Sequence, residues 1–484
     1  MDPILLAMFR AILAPILIVI IGGVVLILDL VIKREQRRNL GWVTFVGLGL
    51  AAIITLLISR PGDQPVSYWG GMIRQDWMGY TFSILFLFAG AITALLAMDI
   101  PNLGDRGEFY LLMLASILGM TFLAMASDLV MIYLSLETVA IPLYVLAGFY
   151  NDNDKSTEAG FKYLLFGAMT SAISLYGLVL LYGLSGGSTN LYMVLDKMAA
   201  AEVPIVAVVT SMLLIMVGFL FKITSVPFHF WAPDVYEGAP TPVTGFLSTA
   251  SKAAGFVILT RVFYTIFPEF VLHWSVILAA LAIATMTIGN LVALAQKNIK
   301  RMLAYSSIAH AGYALIGVVA LDDLAITSLV YYLIAYMVSN LAAFGVISVY
   351  GREIGSDEIK DFAGMSRRAP GLALVMLVSF LSLAGMPPLA GFMAKFLVFA
   401  AAVNINMWWL AAIGVINSII GLFYYLTVLK VVYLYRSDDE DKPVVIPSGA
   451  ALALWVLVIG IILVGTLFSP WFSTSLNAAL AMFT

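Results

Sequence analysis

The chain has 484 residues, of which 62% are hydrophobic and 11% charged, and its formal net charge is −3. In a soluble domain about a quarter of the residues are charged, so this composition excludes a water-soluble globular protein. The chain contains no cysteine, which excludes disulfides, thiolate-bound iron–sulfur clusters and cysteine-type zinc sites.

Apolar runs long enough to cross a bilayer follow one another along the whole chain. Each spanning helix needs about 20 largely apolar residues, and a window of about 19 residues finds fourteen such runs with short connections. In chain order they cover residues 4–32, 41–59, 78–98, 109–126, 128–149, 159–184, 203–223, 241–267, 271–295, 301–320, 325–350, 370–400, 407–435 and 448–470. The pattern predicts an all-α polytopic membrane protein with about 14 transmembrane helices.

Basic residues are unevenly distributed between the connections. The connections after odd-numbered spans hold fifteen lysines and arginines, whereas those after even-numbered spans hold three, Arg60, Arg74 and Lys197. Since basic residues accumulate in cytoplasmic loops, we expect both termini to lie outside.

The sixth and eleventh spans contain an internal repeat. An offset of 168 residues matches Tyr163 with Tyr331 and Ser171 with Ser339. Because five spans separate the two, the matching helices run in opposite directions, which predicts an inverted repeat of two five-helix units, spans 4–8 and 9–13. The expected division is an N-terminal three-helix segment 1–108, a first repeat 109–267, a second repeat 271–435 and a C-terminal helix 448–484.

Three lysines lie deep within predicted spans. Lys252 is twelfth of 27 residues in the eighth span, Lys222 follows nineteen apolar-rich residues in the seventh, and Lys395 lies 25 residues into the twelfth. A central lysine costs about 2.5–3.5 kcal/mol on insertion scales, so such residues face the bundle interior or water and indicate function. Glu137, tenth of 22 residues in the fifth span, and His310, tenth of 20 in the tenth, join them.

Two interpretations of these groups are open. In the first, Glu137 serves only to neutralise a lysine. One acid does not neutralise three bases, so we favour the second, a role in proton transfer. Burial in apolar surroundings favours the neutral form of a lysine, which can then take up and release protons near neutral pH. His310 is equally consistent with a proton relay and a core histidine. His229, in PFHFWAPD, can take up protons from the cytoplasm or cap a turn, the second being favoured.

Prolines lie beside the same groups, and each removes one helical hydrogen bond. They are Pro142 in the fifth span, Pro227 after the seventh, and Pro387 and Pro388 in the twelfth. The carbonyls that they free, including that of Ala384, must find neighbours or water. We expect helix breaks at these prolines, with broken helices 7 and 12 at corresponding places in the repeat, as in a transport site.

The segments around these residues resemble a known family. They are SLETVAIPLYVLAGF (135–149), FKYLLFGAMTSAISLYG (161–177), FKITSVPFHFWAPDVYEGAPTPVTGFLSTASKAAGF (221–256), SSIAHAGY (306–313) and LAGMPPLAGFMAKF (383–396). Together they resemble the antiporter-like membrane subunits of the proton-pumping NADH–quinone oxidoreductase, respiratory complex I. Within that group, WAPDVYEGAPTPV and Lys395 resemble subunit N, also called subunit 2.

The resemblance implies proton translocation through water-filled half-channels joined by a central line of ionisable side chains. It assigns that line to Glu137, Lys222, Lys252 and Lys395, and it marks Lys162 as a further family position. The chain would be a translocase subunit without a redox centre, cofactor or metal of its own, since NADH, FMN, iron–sulfur clusters and quinone would bind to partner subunits.

The resemblance also implies binding partners and a cellular location. The expected partners are the lipid bilayer and other membrane subunits of complex I, including neighbouring antiporter-like subunits, and no nucleic acid. Fourteen spans fit the bacterial form, so we expect a multi-pass protein of the bacterial cytoplasmic (inner) membrane.

The sequence leaves three other classes of function. A subunit of a multisubunit cation/proton antiporter shares the lysine and Pro-Phe-His elements, but VYEGAP and Lys395 favour complex I. A redox protein that binds haem would need paired histidines, and no two of the three histidines have suitable spacing on one helix. A passive membrane anchor gains nothing from three buried ammonium groups.

Overall fold

The computed structural model describes residues 3–33, 36–62, 64–200, 203–437, 439 and 442–483. Arg34, one of the fifteen basic residues counted above, lies outside the described residues. Within this part of the chain the α-helices are α1 Pro3–Ala11, α2 Leu13–Val31, α3 Asn39–Ile58, α4 Trp77–Ala97, α5 Gly107–Met125, α6 Leu129–Ala147, α7 Asp154–Leu184, α8 Leu191–Ala200, α9 Ile205–Lys222, α10 Trp231–Gly238, α11 Thr241–Phe246, α12 Lys252–Ile266, α13 Val271–Ala293, α14 Ile299–Ile316, α15 Asp323–Ile354, α16 Met365–Arg368, α17 Pro370–Ala384, α18 Ala390–Asn404, α19 Trp408–Leu434, α20 Ser448–Thr466 and α21 Phe468–Leu480. A π-helical segment, Leu247–Ser251, joins α11 to α12, and the strands β1 Val66–Tyr68 and β2 Ile73–Gln75 form an antiparallel hairpin.

Most of the predicted spans correspond to long apolar helices in the structure. Among the described residues, twelve helical segments are long and apolar enough to cross a membrane. The 18-residue α14 and the interrupted pair α17 and α18 occupy the two remaining predicted spans. The protein is therefore an all-α membrane protein with twelve to fourteen candidate membrane helices, together with one short hairpin.

Side-chain caps mark where several of these helices begin. Asp128 accepts hydrogen bonds from the amides of Val130 and Met131 at the start of α6. Asn298 does the same for Lys300 and Arg301 at the start of α14. These caps satisfy amides that have no partner within the helix, and so they set the register of the buried residues that follow.

The centre of the bundle is α15. Over 32 residues it packs against α11, α14, α17, α18, α20 and α21, and its central stretch is buried on all sides. Polar side chains on α15 therefore face other helices and not lipid. The helix is positioned to line an internal path.

The chain leaves its helical course at two of the proline sites. α9 ends at Lys222, and Thr224, with a φ of 61°, turns the backbone ahead of Pro227. α17 ends at Ala384, and Gly385, with a φ of 90°, turns it ahead of the proline pair. Each interruption places a helix end beside a buried lysine.

The predicted break at Pro142 is wrong. α6 runs through this residue from Leu129 to Ala147 without interruption. A single proline removes one hydrogen bond, and here no neighbouring residue with positive φ redirects the chain. The extensive packing of α6 against α5 keeps the helix continuous.

A buried ion pair ties the hairpin end of the bundle together. Arg261 on α12 donates to both carboxylate oxygens of Asp76, with Nη1–Oδ2 and Nη2–Oδ1 distances of 2.7 and 3.0 Å. Both side chains are fully buried, although Arg261 lies near the end of its predicted span, where an arginine commonly reaches the interface. Removing one partner of such a pair costs about 3–5 kcal/mol. The contact therefore fixes α12, which carries Lys252, against α4.

Candidate functional site

Glu137 on α6 lies beside a small cavity that Lys222 also lines. Ser171 Oγ, on α7, donates a hydrogen bond to Glu137 Oε1. The cavity has a volume of about 30 Å³, and Ser174 also faces it. One water needs about 10–15 Å³ and two or more polar partners, so the space accommodates water. Among the described residues no direct ion pair joins the glutamate to the lysine, and the two charges face each other across this space.

Lys222 is the last residue of α9 and is 6% exposed. Its stem packs on Gly255 of α12, where a Cβ would lie 3.1 Å from Lys222 Cγ. The same Cβ would lie 2.8 Å from Ile223 Cγ2, so a larger residue at this position would force the end of α9 to shift. The contact lies three residues from Lys252 along α12, but within the described chain no hydrogen bond joins the two lysines.

Lys252 begins α12 directly after the π-helical segment and is 2% exposed. Its Nζ donates to both the carbonyl and the hydroxyl oxygen of Ser307 on α14, each at 2.6 Å. Tyr336 on α15 also donates to Ser307 Oγ, at 2.9 Å. A π-bulge is frequent at functional sites, and here it immediately precedes a lysine that two neutral oxygen atoms hold.

His310 lies one turn beyond Ser307 and uses both ring nitrogens. Nδ1 lies 2.6 Å from the hydroxyl of Tyr332, and Nε2 lies 3.2 Å from that of Tyr425. Tyr425 in turn shares a hydrogen bond with Ser306. Because a neutral imidazole has one donor and one acceptor nitrogen, these hydroxyl partners allow the ring to hand a proton from one side to the other.

Lys395 on α18 reaches back into the interruption after α17. Its Nζ donates to the carbonyl of Ala384 at 2.9 Å and to Ser418 Oγ at 2.7 Å, and it lies 4.8 Å from the ring centre of Tyr313. Ala384 is one of the residues whose carbonyl a proline frees, so a neighbouring lysine satisfies that carbonyl. A cavity of about 10 Å³, lined by both His310 and Lys395, lies between these two residues, which is close to the size of one water.

These contacts arrange five of the predicted groups in two clusters with a gap between them. The first cluster contains Glu137, its serine partner and Lys222. The second runs from Lys252 through Ser307 to Tyr336, whose ring centre lies 5.0 Å from that of His310, and from His310 across the small cavity to Lys395. Between Lys222 and Lys252 the described residues provide only packing across Gly255.

Lys162 lies in a different environment. It pairs with Glu158 and with Asp234 on α10, each at 2.5 Å, and Asp234 also pairs with Arg301 at 2.8 Å. Ser171, which contacts Glu137, lies nine residues further along α7, about 13 Å away at 1.5 Å per residue. The structure therefore places Lys162 in a charge network at one end of the bundle and not with the buried clusters.

The charge network sets the ionisation of its carboxylates. Partial burial opposes ionisation of Asp234, but hydrogen bonds from Lys162 and Arg301 outweigh it and hold the pKa of Asp234 below its usual value. Glu237, the second acid of α10, has its pKa lowered in the same way by Lys155 and Arg301. Both remain anions at neutral pH and hold α10 against α7 and α14.

His229 lies between α9 and α10, buried against Phe230 with ring centres 4.4 Å apart. Its Nδ1 has no hydrogen-bond partner among the described residues. The structure does not bring it into contact with the buried lysines, and its role in proton uptake stays a prediction.

Sequence reasoning missed the hydroxyl groups that contact the ionisable side chains within each cluster. They are Ser171, Ser307, Tyr332, Tyr336, Ser418 and Tyr425. Serine and tyrosine are common in apolar helices, so composition gives no signal. Spacing gives one, because Ser307 precedes His310 by three residues and Tyr336 follows Tyr332 by four, which places each pair on one helix face.

The chain matches the family model described as "NADH:quinone oxidoreductase/Mrp antiporter, TM" over residues 126–421, a stretch that includes Glu137, the three buried lysines and His310. It is similar to NADH-quinone oxidoreductase subunit N from Moorella thermoacetica, with 42% identity over 465 residues that cover 96% of each chain. The chain belongs to the subunit N family of NADH-quinone oxidoreductase. The resemblance inferred from the sequence is thereby confirmed.

Similarity to solved structures agrees with this family. A chain of respiratory complex I from Thermus thermophilus with bound aureothin is 33% identical, with a TM-score of 0.80 over 95% of this chain and 98% of that one. A chain of the Mrp complex from Dietzia sp. DQ12-45-1b shares the fold, with a TM-score of 0.85, 20% identity and 98% of each chain covered.

As a member of the subunit N family, the protein is a subunit of NADH-quinone oxidoreductase. Its sequence has no cysteine. The residues described in the structure contain no group of three or more histidine, aspartate or glutamate side chains placed to hold a metal ion. The side chains of the two clusters are proton donors and acceptors, and they are suited to proton transfer.

Proposed function

We propose that this chain carries protons across a bacterial cytoplasmic membrane, from the cytoplasm to the outside, and that quinone reduction in partner subunits drives the transfer. The central observation is the chain of contacts from Lys252 through Ser307 and the His310 tyrosines to the cavity at Lys395. Every group in that chain can both accept and release a proton, or can bind the water that does so.

In this proposal Glu137 controls the charge of Lys222. At an effective dielectric near 20, two unit charges 4 Å apart interact by about 4 kcal/mol, and moving one charge against 100 mV costs about 2.3 kcal/mol. Changing the separation of these two groups across their cavity therefore changes the free energy by enough to drive a proton outward. Lys252 then passes the charge on to Lys395, and closing the gap at Gly255 is the step that needs water or side-chain motion.

The proposal includes two inverted five-helix units, the first covering 109–267 and the second 271–435, between the N-terminal segment 1–108 and the C-terminal region 448–484. The pairs α5–α6 and α13–α14 are the two most extensively packed helix pairs. The longest helices, α7 with 31 residues and α15 with 32, come next in each unit.

A matching pair of backbone contacts supports this division. In each unit the first residue of α6 or α14 donates a backbone hydrogen bond to the segment that follows the long helix, α7 or α15. That segment donates a backbone hydrogen bond in return to the residue just before the capping residue. These bonds are Leu129 N to Thr189 O and Leu191 N to Ser127 O in the first unit, and Ile299 N to Asp357 O and Ile359 N to Lys297 O in the second.

We further propose that both termini lie outside, that partner subunits hold NADH, FMN, the iron–sulfur clusters and the quinone, and that neighbouring antiporter-like subunits cover part of the exposed apolar surface. Val130, Leu134, Ile141 and Val145 form an exposed stripe on α6 beside Glu137. A neighbour seated there could change the surroundings of Glu137 and so transmit a signal to the proton path.

Replacing Glu137 by Gln or Lys222 by Met tests the proposed function. In the assembled complex in proteoliposomes, we expect either change to reduce the protons pumped per NADH oxidised, because the charge that moves is removed. Lys430→Met is the matched control, since it removes an exposed lysine from α19. Full pumping in both variants at normal assembly would refute the proposal.

Cation/proton antiport is the second candidate, favoured by the fold shared with the Mrp complex. It predicts that a sodium gradient changes the pumping stoichiometry in the same proteoliposomes. The subunit N family membership favours proton translocation within an NADH-quinone oxidoreductase.

A further inference from the structure

A large polar cavity opens at the end of the bundle that carries α10. Its volume is about 400 Å³, and Lys155, Glu237, Lys300 and Asp357 are among its lining residues. The space holds many waters. It reaches α15 at Ser348, and we refer to it below as the vestibule.

One face of α15 leads from the vestibule to Lys252. Tyr336, Asn340, Phe344 and Ser348 are spaced by four residues and therefore lie one above the other along the helix. Ser348 borders the vestibule, and Tyr336 contacts the Ser307 hydroxyl that holds Lys252. At 1.5 Å per residue this face covers about 18 Å.

Two polar side chains on this face have unused hydrogen-bonding atoms. Asn340 is 0% exposed, and its Oδ1 has no partner among the described residues; the same holds for Oγ of the buried Ser348. Asn340 Nδ2 donates to Ser248 Oγ at 2.7 Å. Ser248 belongs to the π-helical segment and precedes Lys252 by four residues. Buried polar atoms nearly always bind protein or ordered water, so both positions are suited to water.

Phe344 separates these two positions. It is buried, and its ring lies against that of Tyr236, with ring centres 6.2 Å apart. Gly245 on α11 also packs closely against it, because a Cβ there would lie 3.3 Å from Phe344 Cβ. The ring thus forms an apolar barrier between Ser348 and Asn340, and a constriction of this kind can interrupt a water chain by drying.

We propose that Phe344 is a hydrophobic gate between the vestibule and the Asn340–Ser248 pair. Water continuity from the vestibule to Lys252 then requires the phenyl ring to move. The gate would let Lys252 take up a proton while preventing a continuous leak through the membrane. This inference rests on the proposed function, because it concerns how protons reach the same buried line.

The test is the variant Phe344→Ala in the assembled complex in proteoliposomes. We expect a several-fold faster collapse of an imposed pH gradient in the absence of NADH, and fewer protons pumped per NADH oxidised. Phe86→Ala, which shortens a fully buried phenylalanine on α4, is the matched control and should not accelerate the collapse. Adding Asn340→Leu to Phe344→Ala should abolish the leak, since it replaces the polar position behind the gate.

The outcomes separate the gate from the proposed function. If Lys222→Met reduces pumping but Phe344→Ala leaks no faster than Phe86→Ala, the gate is refuted and the proposed function stands. If the leak persists in the double variant, the water path does not pass Asn340 and the gate assignment is also refuted. If Glu137→Gln and Lys222→Met both pump fully, the proposed function itself is refuted, whatever the Phe344 variant shows. Comparing the amount of assembled complex in each variant distinguishes these results from misfolding.

Discussion

The two buried clusters hold their lysines with different partners. In the first, Lys222 faces the carboxylate of Glu137 across a small cavity. In the second, Lys252 donates to Ser307 and Lys395 donates to the Ala384 carbonyl and Ser418. The first cluster thus uses an opposite charge, whereas the second uses neutral oxygens.

The capping residues make the comparison specific. Glu137 lies nine residues after Asp128, which caps α6, and Ser307 lies nine residues after Asn298, which caps α14. In the proposed repeat, whose two units form the first and second halves of the bundle, a serine therefore stands at the place in the second half that a glutamate occupies in the first. A carboxylate stabilises an ammonium group far more than a hydroxyl does, so the two halves are suited to different steps: controlled binding of charge in one and onward transfer in the other.

The largest effect is expected from making the second half resemble the first. In Ser307→Glu a carboxylate would lie in direct contact with Lys252, and at an effective dielectric near 20 the attraction is about 4 kcal/mol at 4 Å. We expect Lys252 to be held as an ion pair and pumping per NADH to be nearly lost. Ser307→Thr, which keeps the hydroxyl, should retain pumping. Equal pumping in the two variants would show that the difference between the halves has no role in transfer.

An intermediate effect is expected when Lys395 loses one acceptor. A hydrogen bond to a charged group contributes about 1.5–3 kcal/mol, so Ser418→Ala should slow proton pumping by about tenfold. Thr427→Ala, on the exposed face of the same helix, is the control. A Ser418→Ala variant with unchanged pumping would show that the Ala384 carbonyl alone is sufficient to position Lys395.

The smallest effect is expected at the charge network, where α10 of the first half contacts Arg301 of the second. Asp234→Asn should lower stability by about 0–1 kcal/mol at neutral pH, as is usual for half-exposed ion pairs. Because the pKa of Asp234 is lowered in the folded protein, its stabilising contribution is present at neutral pH and is lost as the pH falls below about 4. Thermal unfolding of the two proteins in detergent should therefore differ at pH 7 and converge in acid. A difference that persists in acid would indicate that the introduced amide perturbs packing.

Much of the membrane architecture could be predicted from the sequence. The apolar runs correspond to the observed helices, and Lys222, Lys252 and Lys395 are buried as expected. Glu137 is half-buried beside its cavity. The prediction was wrong at Pro142, because the effect of one proline depends on whether neighbouring residues also leave the helix. Arg261 lies near the end of its predicted span, yet it is fully buried, because Asp76 neutralises it.

The sequence by itself determined which charged groups remain within the membrane, since the length and polarity of each apolar run belong to one stretch of chain. Only the tertiary structure decided what those groups contact. Lys252 and Ser307 are 55 residues apart in the chain, and Ser418 and Lys395 are 23 apart on different helices. Such partners depend on how helices rotate and approach one another, and the local pattern of hydrophobicity does not encode that rotation uniquely.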